Sequence, residues 1–124
     1  MVSTVAEELE APSVDGRPID KELIGDNLDT ALEMMLSTST REDIDWWTAT
    51  LIGHLSLLAG EELGADDDPE VKSLFSQAYK LLDLRHRPTN ETPAFSAFNY
   101  LRQTGLLTRR FLTVYSRRQG VGCG

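Results

Sequence analysis

Hydrophobic residues recur at three- and four-residue steps in four stretches of the chain, the spacing of an apolar stripe on an α-helix. In the first stretch Leu23, Ile24, Leu28, Ala31, Leu32 and Met35 fall on one side, with Asp26, Asp29 and Glu33 on the others. Asp20 supplies an N-cap, so the spacing predicts a helix from after Asp20 to about Leu36, followed by a Ser-Thr linker at 37–40. The second stripe is Ile44, Trp47, Leu51, Leu55 and Leu58. Thr40 and Asp43 form a capping box before it, and Gly64 is the predicted stop. The third stripe is Val71, Leu74, Phe75, Ala78, Leu81 and Leu82, started by Asp68-Pro69-Glu70 and ended near Arg85–Arg87 by Pro88. The fourth begins with Thr92-Pro93 and runs to about Arg118 through Ala94, Phe98, Leu101, Leu112 and Tyr115, widened by Leu107, Phe111 and Val114. Gly105 lies inside it. A glycine there either weakens the helix by about 1 kcal/mol or lets another helix come close.

No stretch alternates apolar and polar in the strand pattern. Four amphipathic helices on short linkers can bury their stripes only against one another, so the predicted fold is all-α, an antiparallel bundle of about four helices. Before it, Pro12, Asp15-Gly16 and Pro18 break regular structure. Thr4 to Glu7 has capping-box spacing, but only Val5 and Leu9 offer an apolar face. Residues 1–18 are therefore expected to be a flexible, disordered acidic tail, residues 19–118 a single helical-bundle domain, and residues 119–124, with three glycines, a flexible end.

Charge changes the picture more than composition does. With 40% hydrophobic and 26% charged residues the chain is ordinary globular material, and no apolar run approaches the ~20 residues of a membrane span. The net charge is −8, but it is unevenly placed. Residues 1–70 hold 18 acidic and 3 basic side chains, whereas residues 71–124 hold 2 acidic and 9 basic. At ~100° per residue, Arg102, Arg109, Arg110 and Arg117 fall within one third of the last helix's circumference. Three uses of this polarity compete. The basic helix can lie against the acidic first and second helices of its own bundle. It can dock an acidic protein or the acidic half of a second copy. It can also contact nucleic acid, against which stand the −8 net charge, which repels a polyanion at range, and the lack of a nucleic-acid-binding motif.

Individual residues add little catalytic chemistry. Trp46 and Trp47 are adjacent and point about 100° apart, so Trp47 lies on the stripe and belongs in the core. Trp46 lies off it, and either packs on a neighbouring helix, the simpler expectation, or stands as an exposed interface anchor. His54 has no carboxylate or histidine at metal-pair spacing, and His86, beside a helix end, suits a capping role. Asp66-Asp67-Asp68 lacks the ligand alternation and glycine of a calcium loop, and is expected to be a solvated turn with a cap. A ligand pocket formed by Trp47, His54 and Tyr79 is a further alternative, suggested only by residue type. Cys123 is a lone cysteine, and no secretory signal precedes the helices, so the expected setting is the cytoplasm.

Residues 51–58, Leu-Ile-Gly-His-Leu-Ser-Leu-Leu, and the spacing of Leu107, Arg109, Leu112 and Val114 resemble a family of small uncharacterised helical proteins from actinobacteria, over residues 46–117. Tyr115, Ser116 and Arg117 depart from that pattern, where a small or acidic residue and a histidine are expected. The resemblance implies a helical bundle and a bacterial cytoplasmic setting, and brings no activity with it. The sequence thus predicts a non-enzymatic protein–protein interaction or adaptor module, with itself as one possible partner in a homodimer. Trp46, Arg102, Arg109, Arg110 and Arg117 are the candidate contact residues; no cofactor, metal or membrane is called for.

Overall fold

The computed structural model describes residues 19–61, 63–64 and 66–123, with side chains as far as Arg118; the expected N-terminal tail lies outside the described residues. The described chain is all-α, with four helices and no strand: α1 (Lys21–Leu32), α2 (Arg41–Ala59), α3 (Pro69–Leu82) and α4 (Ala94–Cys123). Short 3₁₀ turns at Leu36–Thr38 and Leu84–His86 follow α1 and α3.

Three helix starts follow directly from the sequence. Asp20 Oδ1 accepts the Leu23 N–H at 3.0 Å. Thr40 and Asp43 close a reciprocal capping box, each side chain accepting the other's backbone N–H at 3.0 and 3.1 Å. Asp68 Oδ1 accepts the Glu70 N–H at 2.9 Å, with Pro69 in the first helical position. These bonds satisfy amides that a helix start otherwise leaves without partners. Thr92 behaves differently. Its hydroxyl turns back to accept the Thr89 N–H at 2.8 Å, and α4 takes its first backbone bond from Ala97 N–H to the Pro93 carbonyl.

The helix ends depart further from expectation. α1 stops at Leu32 rather than Leu36, and Met35 and Leu23, both on the predicted stripe, are exposed. Ile24, Leu28 and Ala31 carry its burial. α2 stops at Ala59 rather than Gly64. Continued as a helix, Leu63 would sit about 140° from Leu58, off the buried stripe. Unwinding after Gly60 turns Leu63 into the core instead. Gly64 then makes the sharp turn into the Asp66–Asp68 loop with φ +83, a conformation that favours glycine. α4 continues beyond Arg118 to Cys123.

Paired residues give the helix directions. Asn27 meets His54 where α1 packs against α2. Asp29 and Leu32 face Arg109 and Gly105, so α1 and α4 are antiparallel. Phe75 meets Phe111, and the Tyr100 hydroxyl donates to the Leu81 carbonyl, so α3 and α4 are antiparallel. α2 and α4 run parallel, with Arg41 at Thr92, Leu51 at Gly105 and Gly64 at Arg118. This is an up-down-up-down bundle in which α2 and α4, the diagonal pair, make the most extensive helix contact. The backbones of α1 and α3 stay apart on either side of that pair.

The chemistry of α4 allows this flattening. Its fully buried positions include Ala97, Thr104 and Thr108 as well as Leu101 and Phe111. A Cβ built on Gly105 would stand 2.9 Å from Leu32 Cδ2 and 3.4 Å from Leu51 Cδ1. Gly105 therefore serves close approach of α1 and α2 to α4. The buried threonines remain satisfied within their own helices: Thr104 and Thr108 donate to the carbonyls four residues earlier at 2.8 and 2.6 Å, and Thr48 does the same to Ile44 at 2.6 Å. Among the described residues no helix is long and apolar enough to cross a membrane.

Candidate functional site

The predicted arginine stripe divides between two sides of α4. Arg102 and Arg109 project toward α1. Arg102 Nη1 donates to the Leu32 carbonyl at the C-terminal end of α1 at 3.3 Å, where the helix dipole favours a cation. Arg109 Nη2 pairs with Asp29 at 2.6 Å, the one ion pair between helices among the described residues. These two arginines join the basic last helix to acidic α1. Arg110 and Arg117 lie about 60–100° around the helix from them, on the side facing α3. Neither has a carboxylate within ion-pair distance, nor a hydrogen bond from its side chain, among the described residues.

These free cations line a groove between α3 and α4. Its first stretch, about 650 Å³, is walled by Leu81, Tyr100, Leu106 and Leu107, and edged by Gln77, Lys80, Gln103 and Arg110. Its second, about 580 Å³, continues past Gln77 and Arg110 along Ser73, Leu74, Thr113 and Val114 to Arg117. Glu70 is the one carboxylate on its lining. The groove thus combines an apolar wall with three cations, Lys80 on α3 and Arg110 and Arg117 on α4, spread along about 20 Å.

Three polar side chains anchor the upper wall. Tyr100 is 7% exposed and its hydroxyl donates to the Leu81 carbonyl in the last turn of α3. Burial pushes its phenol above the ordinary range, so it stays a donor. Below that turn, His86 Nδ1 donates to the Lys80 carbonyl at 2.9 Å and Arg87 Nε to the Leu82 carbonyl at 3.0 Å, closing the end of α3. Asp83 accepts the Arg85 N–H at 2.9 Å and pairs with its guanidinium at 2.8 Å; those hydrogen bonds from Arg85 hold its carboxyl below the usual range. On the far side Arg41 bridges to the Thr92 and Thr89 carbonyls at 2.6 and 2.7 Å, fixing the turn from which α4 departs.

The remaining sequence candidates lie elsewhere. Trp46 is 60% exposed rather than packed on a neighbouring helix, and its ring stands edge-on to Trp47, 4.8 Å between centroids. It is level with the start of α4, about 16 Å along the bundle from Arg109, so the structure does not unite it with the arginines. Trp47 is partly buried against the core. His54 is half-buried and faces Asn27 Nδ2 at 2.9 Å, an amide donor opposite a neutral imidazole. Burial lowers its pKa below 6.5. Tyr79 is exposed on α3, touching Phe75, while His54 turns to α1; the suggested Trp47–His54–Tyr79 pocket does not form. Among the described residues no three His, Cys, Asp or Glu side chains gather as a metal site.

Sequence reasoning missed Gln77, Lys80, Gln103 and Leu106. The available signal was angular: Arg110 and Arg117 share a bearing on α4 that Arg102 and Arg109 do not. No family model, curated protein or solved structure matches the chain.

Proposed function

We propose that this protein is a non-enzymatic interaction module that docks an acidic, amphipathic segment of a protein partner along the α3–α4 groove. The observation that carries this reading is the pair Arg110 and Arg117, exposed and without a counter-charge among the described residues, beside the apolar wall of Leu81, Leu106 and Leu107. Aliphatic wall and spaced cations match a segment with leucines on one face and carboxylates flanking them. The other two arginines of the stripe are occupied with α1, which leaves Arg110 and Arg117 as its outward share.

The test uses a labelled synthetic amphipathic helix bearing glutamates beside a leucine stripe, titrated by fluorescence anisotropy. Saturable binding that weakens with salt is expected. The double variant Arg110→Glu/Arg117→Glu weakens it at least tenfold, about 1.4 kcal/mol, while Arg109→Ala leaves it unchanged. A DNA duplex of matched charge serves as control. Preference for the duplex, or equal loss in Arg109→Ala and the double variant, contradicts the proposal.

A further inference from the structure

The sequence holds a segment of the required chemistry. Residues 1–16 carry Glu7, Glu8, Glu10 and Asp15 and no lysine or arginine, and Val5 and Leu9 stand one helical turn apart. We infer that this acidic segment is a ligand of the α3–α4 groove in its own chain, so that an external partner must compete with it. The inference rests on the groove being a docking site for acidic segments.

Three observations support it. The first is where the described chain begins. Ile19 is buried in the core and Asp20 caps α1. The register of α1 against α4, with Leu32 at Gly105 and Asp29 at Arg109, puts Asp20 level with Arg117 and Arg118. The described chain therefore begins at the end where the groove opens beside Arg117.

The second is reach. Glu10 lies nine residues before Ile19, a span of up to about 30 Å. The way around α4 is on the order of one helix diameter, about 10–12 Å, plus the approach on either side. Glu10 can then reach Arg117, and Glu7 or Glu8 can reach Arg110 about 10 Å further along the groove, with Leu9 and Val5 toward its apolar wall. The third is charge. The groove offers Lys80, Arg110 and Arg117 against one carboxylate, Glu70, and the segment offers four carboxylates against no cation. Because the segment is tethered, even a weak contact is populated at high effective concentration.

The experiment keeps the full chain. A nitroxide is attached at Ser3→Cys in a Cys123→Ser background, and amide broadening is mapped by NMR. Expected are losses at Gln77, Gln103 and Leu106, with Asn27 and His54 on the α1–α2 side unaffected. These losses disappear in E7K/E8K/E10K and at about 1 M salt, where the screening length is about 3 Å. In the anisotropy assay the same triple variant binds the synthetic acidic helix several-fold more tightly than the native chain. Broadening equal on both sides of the bundle, or unchanged by charge reversal, overturns the inference. If the synthetic helix binds the groove while the nitroxide leaves it unmarked and E7K/E8K/E10K changes nothing, the self-ligand is excluded and the docking site stands. If the synthetic helix does not bind even E7K/E8K/E10K, both fall.

Discussion

Gly105 lies where Leu32 of α1 and Leu51 of α2 press on α4 and leave little room for a side chain. Gly105→Leu gains helix propensity, about 1 kcal/mol, but forces a side chain into space held by Leu32 and Leu51. Overpacking of a filled core outweighs that gain, so a net loss of about 1–3 kcal/mol is expected in chemical denaturation. His54 makes a second prediction. Its folded-state pKa lies below the ordinary 6.5 because burial disfavours the imidazolium. The unfolded chain therefore binds the proton more readily. The stabilisation is fully present above about pH 6.5 and is lost as pH falls through the depressed value. His54→Gln, which keeps an acceptor for Asn27 without a titrating ring, should flatten the fall in Tm between about pH 7 and pH 5. A slope identical to the native chain's would show that other groups set it. The Arg109–Asp29 pair is solvent-exposed on both sides and contributes only about 0–1 kcal/mol, so it selects the arrangement of helices more than it stabilises them.

At the scale of the element, helix starts were legible because capping is local chemistry. Asp20, Thr40-Asp43 and Asp68-Pro69 act within three residues, and each forms the bond its spacing implies. Thr40→Ala removes half of the only complete capping box described here and should cost about 0.5–2 kcal/mol in thermal unfolding, with α2 losing helicity first. Helix ends were less legible, since tertiary burial decides them. Leu63 is pulled into the core at the expense of a turn of α2, which no local signal announces. The stripes located most of the core, but Thr48, Thr104 and Thr108 are buried too. A two-letter apolar pattern passes over hydroxyls that satisfy themselves on their own helix.

For the whole molecule, the charge split was visible in the sequence and its division of labour was not. Which arginines face inward depends on the diagonal contact of α2 with α4, and that contact follows from Gly105 and the small residues beside it rather than from any charge. Placing α1 against one flank of α4 occupies Arg102 and Arg109; placing α3 against the other leaves Arg110 and Arg117 lining an open groove. Trp46 remains an exposed aromatic on α2, level with the start of α4, where Leu84 and Phe95 are exposed too.

The central claim is spatial: an acidic segment seats between α3 and α4. The most direct measurement is an NMR titration of the isotope-labelled full chain with the synthetic acidic helix. Docking in the groove predicts shift changes concentrated at Gln77, Lys80, Gln103, Leu106 and Arg110, small at Asn27, His54 and Trp46, and abolished by Arg110→Glu/Arg117→Glu. Shifts centred on Trp46 or on the α1 flank, with the groove resonances unmoved, would contradict it.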